Sequence, residues 1–472
     1  MITGLNPTTM LPFTARVSTS LQPGISARAA SNAASSASAS AKVTFGSQTP
    51  EIAAVYSLSP KALSASVALQ HNASLTGLMQ SVSGGSVSAF ANLGSALLGT
   101  LNDSREDITQ ALSGVGMGTE GAPRDAAVAL SIVTQSGSTV SLIMTQQREG
   151  LAIEMKTQGE ALSDDEAAAV ANLSGALEKT LNGLGQQPPQ LDLLGLTHFD
   201  RNVLKSIDLK TDLRNSESTL QSLNFHADDK TRSVAYEDGE FSLEMSSDLS
   251  HPTLTGSASQ PQSALSAWDD KFDKARRAGQ GNRDQMAVLK SVFHALNSDT
   301  ANETAAISGS RAIRLGDNGT SPLSGLHDFS LSLTQAKKAG NPARGEEADR
   351  FTYSASQTTE ESMGSNGSKS VKQTTHSLLS AAWHEALDPS IPLALNEMKS
   401  SQNYSYHLLD NDEENSTTLN YSDRGQLANV SQNEQVNNRE TVKKYVLGER
   451  VDQTVTPEAY SRSKQLALLK TL

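Results

Sequence analysis

Three runs of alternating apolar and polar residues carry the clearest pattern in this chain: VALSIVT (128–134), TVSLIMT (139–145) and LAIEMKT (151–157). A period of two marks a strand with one buried face, and the short glycine-bearing links QSGS and QQREG favour an antiparallel meander. Alternation then sets Val128, Leu130 and Ile132 on one face, opposite Val140, Leu142 and Met144. The period changes after that. Ser163-Asp164-Asp165-Glu166 is a capping box, with three carboxylates placed to suit the helix dipole. Val170, Leu173, Leu177, Leu181 and Leu184 follow as one helical stripe, ended by Gly183, Gly185 and Pro188-Pro189. The segment reads as a β-β-β-α unit.

Helical spacing also appears upstream. Ser59-Pro60 offers a cap and a first-turn proline ahead of Leu63, Val67, Leu75, Leu78 and Met79. Past Gly84-Gly85 a second helix carries Phe90, Leu93, Leu97 and Leu101, and Ile108 and Leu112 in DITQALSGV read as a helix end.

Beyond Pro189, LKSIDLKTDL (204–213) and FSLSLT (329–334) alternate as strands, and SVAYEDGEFSLEMSSDL (233–249) reads as a hairpin turning at Asp238-Gly239 in type I′. DRFTYSASQTTEE and SKSVKQTTHS, within 349–377, would be its counterpart. Each half then reaches a tryptophan-bearing helix, ALSAWDDKFDKA (264–275) and SLLSAAWHEALD (377–388), which hold the only tryptophans, Trp268 and Trp383. An internal repeat and a chance likeness of Ser/Ala/Leu-rich helices both account for this. Another helix, with Met286, Leu289, Val292, Phe293 and Leu296, follows Asn282. The stretch 401–455 is polar and strand-like (NYSYHLL, TTLNYS, QLANVSQ, TVKKYVL), and a final helix is expected from Thr456-Pro457-Glu458, carrying Leu466 and Leu469.

The expected fold class is therefore α+β: antiparallel β-rich modules each covered by helices, with a disordered N-terminal leader. The expected boundaries are a Ser/Ala-rich leader (1–50), a small helical region (51–121), the β-β-β-α module (122–190), a β-hairpin plus helices (191–300), a repeat of that unit (301–400), and a polar β tail with a C-terminal helix (401–472).

Composition narrows function more than it identifies it. Aromatics at 4% and charged residues at 19% of 472 favour small cores and long polar tracts. A net charge of −13 argues against nucleic acid and anionic membrane as partners, since both attract basic surfaces. The absence of cysteine excludes disulfides, thiolate metal sites and cysteine nucleophiles. No run of 18 apolar residues is present, so membrane insertion is not expected. No basic segment leads into an apolar core at the N-terminus, so a cleaved signal is not expected either. Low-complexity SARAASNAASSASASAK (26–42) resembles the leaders of type III or flagellar export substrates, and it also fits a plain disordered tail.

Candidate chemistry is sparse. Gly116-Met117-Gly118-Thr119-Glu120-Gly121 fits G-x-G-x-x-G, but a dinucleotide site needs a strand before and a helix after. Here a helix end is expected before and a strand after, which makes the run a glycine-rich connection. His384-Glu385 in WHEALD has the start of a zincin helix, yet Asp388 stands where the second histidine is required. The acidic run 410–415 resembles the start of a calcium loop but has Asn415 in place of glycine and Tyr421 in place of the bidentate glutamate, so an acidic hairpin turn is expected. The nine histidines (71, 198, 226, 251, 294, 327, 376, 384, 407) show no metal-ligand pair, and no G-x-S-x-G elbow exists. Gly364–Gly367 and Ser308–Ser310 read as linkers. No catalytic, cofactor-binding or metal residue is assigned and no cofactor is expected, although distant residues can still assemble a site.

GEALSDDE (159–166), HFD (198–200) and SIDLKTDL (206–213) resemble the pattern of a family of uncharacterised proteobacterial, pseudomonad-type proteins: alternating strands, a G-E-L-x-x-x-E-type helix start, then an F-D element before a short strand. The likeness spans 126–213, under a quarter of the chain. Some members carry a lactate dehydrogenase label, and the resemblance implies no site residues. A nicotinamide-type lactate dehydrogenase needs a βαβ start and an Arg/His catalytic set, and neither is visible here. The expected function is a non-enzymatic binding or structural protein with a protein partner, exported by a leader-independent or type III-like route. The alternative is a cytoplasmic oxidoreductase.

Overall fold

The computed structural model describes residue 79 and residues 87–113, 126–147, 150–214, 220–250, 260–298, 322–365 and 367–466. The Ser/Ala-rich segment, the helix start at Ser59, the Gly116–Gly121 run, the Ser308–Ser310 linker and Leu469 lie outside them.

In chain order the elements are α1 (Val87–Thr100), β1 (Ile108–Ser113), β2 (Ala126–Thr134), β3 (Thr139–Gln147), β4 (Gly150–Gln158), α2 (Asp164–Asn172), α3 (Ser174–Leu184), the single turn α4 (Leu194–Thr197), β5 (Leu204–Arg214), β6 (Leu220–Ala227), β7 (Thr231–Glu237) and β8 (Phe241–Asp248). Then follow α5 (Gln260–Ala278), α6 (Arg283–Asn297), β9 (Asp328–Gln335), β10 (Lys338–Ala339), β11 (Ala348–Met363), β12 (Lys369–Ala386), β13 (Tyr404–Tyr421), β14 (Leu427–Val446) and β15 (Glu449–Leu466). The strands form one antiparallel sheet in the order β1-β4-β3-β2-β5-β6-β7-β8-β9-β11-β12-β13-β14-β15, with β10 paired to β11. The protein is thus mostly β. Helices do pack on the sheet, but the expected α+β arrangement of separately covered modules gives way to a continuous hydrogen-bonded ladder.

The β-β-β-α reading matches the structure closely. Val128 pairs with Met144, Leu130 with Leu142 and Ile132 with Val140, and all six are buried. Ser163 caps α2, accepting from the Glu166 N–H while Glu166 accepts from the Ser163 N–H. Glu166 also accepts from the Ser136 hydroxyl at 2.6 Å, which ties the helix start to the β2–β3 turn. The single expected helix is broken at Leu173 into α2 and α3. Farther along, α5 and α6 lay an aromatic cluster on the sheet. Trp268 meets the Phe329 ring edge-on at 5.2 Å, and Phe272 meets Phe293 at 5.3 Å and Tyr353 at 5.9 Å. One apolar cluster runs from α1 to Leu379 and Ala381 of β12.

Four local readings are corrected. Ile108 and Leu112 lie on strand β1, paired to β4, rather than on a helix end. SLLSAAWHEALD lies almost wholly on β12, so Trp383 has no helix to match that of Trp268. Thr456-Pro457-Glu458 sits within β15. The turn after β7 does fall at Asp238-Gly239, but only Gly239 has a positive φ there, so it is not type I′. For the first three the common cause is hydrogen bonding. A short apolar run satisfies helical and strand spacing alike, and the neighbouring strands supply a ladder that local propensity does not outweigh.

Candidate functional site

The strands β12–β14 have two faces. Odd-numbered residues of β12 (Leu379, Ala381, Trp383) join the core beneath the helices, whereas Ala382 and His384 face the other way, with Tyr404 and Tyr406 of β13 and Tyr445 of β14. On this second face the segment 340–347, between β10 and β11, forms a strap. It carries Glu347 into the sheet, where both carboxylate oxygens are taken: Tyr404 Oη donates to Oε2 at 2.6 Å and Tyr445 Oη to Oε1 at 2.7 Å. His384 Nε2 lies 3.6 Å from Glu347 Oε2, and its Nδ1 is 2.6 Å from Asp349 Oδ1. Asn341 Nδ2 donates to Tyr404 Oη at 2.9 Å and to Gln402 Oε1 at 2.7 Å, and Gln402 Nε2 returns a bond to Asn341 Oδ1. Gly340 packs so closely on the imidazole that a Cβ would collide with His384 Nδ1. The Tyr404 and Tyr445 rings stack at 4.8 Å, and the Arg344 guanidinium covers Tyr445 at 4.5 Å.

The electrostatics follow from this enclosure. Only 2% of the His384 side chain and 4% of the Glu347 side chain are exposed. Burial alone would raise the Glu347 pKa, but the nearby His384 and the hydrogen bonds from Tyr404 and Tyr445 win and hold it at about 2. Burial likewise presses His384 down, and Asp349 and Glu347 together outweigh it, raising the pKa to about 8. Tyr445 is pushed up to about 12, first by burial and then by Glu347. The cluster is an imidazolium between two carboxylates, fastened by phenols. Its polar atoms point at one another, so it is suited to holding the strap.

A second arrangement lies on the same face farther along the sheet. Ser131, Asp208, His226 and Ser233 are successive partners across β2, β5, β6 and β7. His226 Nδ1 is 2.7 Å from Asp208 and its Nε2 is 3.4 Å from Asp228, and these bonds raise its pKa to about 10. An imidazole kept protonated in this way does not act as a base toward serine. A cleft of about 490 Å³ is lined by Arg105, Asp107, Thr157, Glu160 and Leu162, but Arg105 is already bound to the Leu162 carbonyl and to Asp164.

His384 is central, but on a strand; Glu385 points to the other face and meets His407 Nε2 at 3.1 Å. Asp388 is an exposed turn residue binding Ser390. The acidic run 410–415 lies in mid-β13 rather than in a hairpin turn. His376 pairs with Asp412, His294 with Asp269 and His198 with Ser298. Gly364 and Gly367 lie between β11 and β12, where the Gly367 N–H donates to the Gly364 carbonyl. The Gly116–Gly121 run falls between β1 and β2, outside the described residues. Glu347, Tyr404 and Tyr445 were not singled out by sequence. The alternating tyrosines of NYSYHLL were the available sign. Among the described residues no group of acidic and histidine side chains has metal-site geometry, and no helix is long and apolar enough to cross a membrane. No protein-family model, curated protein or solved structure matches the chain.

Proposed function

We propose that this chain is a non-enzymatic binding or structural protein that works through the part of its sheet extending past the helices, β13–β15, toward a protein partner. One observation carries the reading: β15 is exposed along nearly its whole length, and β14 buries only Val430, Val436 and Tyr445. Ordering a residue costs about 1–2 kcal/mol, and strands so poor in apolar burial recover little of it from the core. Long strands kept at that cost are better explained by a surface role. The enclosed Glu347–His384 cluster supports the same reading, because its reactive atoms serve the strap. Export by a type III-like route belongs to the proposal on the strength of the Ser/Ala-rich leader.

The test is a thermal-shift series with NAD(H) and NADP(H), together with fractionation of culture supernatant against lysate. A cofactor at a hundred times its Kd adds about 2.7 kcal/mol. No shift is expected; a clear one replaces this reading with the oxidoreductase. Protein confined to the lysate removes the export half.

A further inference from the structure

The strap 340–347 is attached in an unusual way. Its two buried side chains, Asn341 and Glu347, are both polar, while Pro342, Ala343, Gly345 and Glu346 are exposed. Its backbone bonds close within it, Arg344 N–H to the Asn341 carbonyl and Glu347 N–H to the Arg344 carbonyl. On one side β10 joins β11 through just two residue pairs, Lys338 with Asp349 and Ala339 with Ala348. Lifting the strap therefore breaks polar contacts and uncovers no apolar side chain of its own. Segments with few buried apolar contacts open at low cost.

Besides the hydrogen bonds of Asn341 to Gln402 and Tyr404 and of Arg344 to the Gly448 carbonyl, charge resists opening. Glu347 faces His384 from the strap and Asp349 faces it from β11. Tyr404 and Tyr406 of β13 flank the imidazole at 5.0 and 4.7 Å. Tyr445 of β14 holds the far oxygen of Glu347. The surrounding cations lie over the tyrosines: Arg344 on Tyr445 and Lys443 at 5.9 Å from the Tyr406 ring, with Arg350 and Arg450 acting on Tyr406 and Tyr445 from farther off. His384 is the cation that sits between the two carboxylates.

We propose that residues 340–347 form a pH-keyed latch, shut by the imidazolium of His384 and released when that proton leaves. Neutral His384 leaves Glu347 and Asp349 facing each other across an uncharged ring, and a buried carboxylate without its cation is costly. Release bares the tyrosine cluster of β13 and β14. The latch does not depend on the binding role proposed above.

The sign is fixed by the direction of the shift. The His384 pKa is raised from 6.5 to about 8, so its contribution is complete below 6.5 and is lost as pH rises through 8. Glu347, held at about 2, stays ionised throughout that window, and Tyr445, at about 12, stays a donor.

Hydrogen–deuterium exchange on the full chain tests this, with rates corrected for intrinsic pH dependence and referenced to β2–β3. Amides of 340–348 should lose about thirtyfold in protection between pH 6 and 9, the factor set by a pKa of about 8 with the latch shut against 6.5 with it open. His384→Gln should abolish the step, and Tyr445→Phe should raise strap exchange at every pH while keeping it. Flat strap protection in the wild type, a step that survives His384→Gln, or strap exchange that merely tracks global unfolding would each overturn the latch. Should His384→Gln not fold, Asp349→Asn serves: it must move the step to lower pH, and an unmoved step has the same overturning force.

Discussion

The Tyr404 hydroxyl reaches Glu347 across 2.6 Å and so joins β13 to a strap that touches the sheet mainly through polar side chains. Tyr445 repeats the contact on the other oxygen from β14. One buried carboxylate thus fastens two long strands and the β10–β11 connection.

Removing that carboxylate should be expensive. Glu347→Ala leaves two phenols without their acceptor and His384 without one of its two carboxylates, and breaking a buried pair from one side costs roughly 3–5 kcal/mol. Tyr404→Phe or Tyr445→Phe should each cost about 1–3 kcal/mol. Urea unfolding followed by circular dichroism measures both; a Glu347→Ala midpoint equal to the wild type refutes the fastening role.

The start of α2 should be acid-sensitive. Hydrogen bonds from Ser136, then from the Ser163 N–H, hold Glu166 at about 2 against an ordinary 4.5. A lowered folded pKa gives stability that is present above 4.5 and lost as pH falls toward 2. Glu166→Gln should therefore cost about 1 kcal/mol at pH 7, with the gap to wild type narrowing below pH 4.5. A gap independent of pH would show that the charge is not the source.

The two tryptophans should behave differently. Trp268 is 4% exposed and packed among Phe272, Phe293 and Phe329, so Trp268→Ala should cost about 3–5 kcal/mol. Trp383 is half-buried on β12 and stacks on its cross-strand partner His407 at 4.7 Å. Its replacement by alanine should cost about 1–2 kcal/mol, as expected for a partly exposed pair on a sheet. Equal losses in chemical denaturation would contradict the placement of Trp383 on a strand.

Pro457 should act as a guard on the sheet edge. It pairs with Arg439 of β14, and a proline fits there only with its donor-less nitrogen on the outer side. Arg450, Arg462 and Lys464 add charge to the same strand, a combination that discourages edge-to-edge pairing. Pro457→Thr restores the missing donor and should produce concentration-dependent association in analytical ultracentrifugation. A variant that stays as dispersed as the wild type removes this role.

By itself the sequence determined the parts that depend on near neighbours. β2, β3 and β4 are joined by short links, and their alternation set Val128, Leu130 and Ile132 against Val140, Leu142 and Met144. The Ser163–Glu166 box placed the start of α2, and Asn282 capped α6 through the Asp284 and Gln285 amides as its position implied. In each case the deciding bonds close within a few residues, so the chain carries the information locally.

Tertiary structure decided the rest. The apolar residues of SLLSAAWHEALD suit a helix or a strand, and the ladders from β11 and β13 on either side made them a strand. Pro457 reads as a helix start in isolation and becomes an edge residue only when β14 lies beside it. The Glu347 cluster shows the limit most clearly: its phenols stand 57 and 98 residues away in the chain. No local pattern links such positions. They meet because pairing of β12, β13 and β14 stacks His384, Tyr406, Tyr404 and Tyr445 on one face, and the strap closes over them.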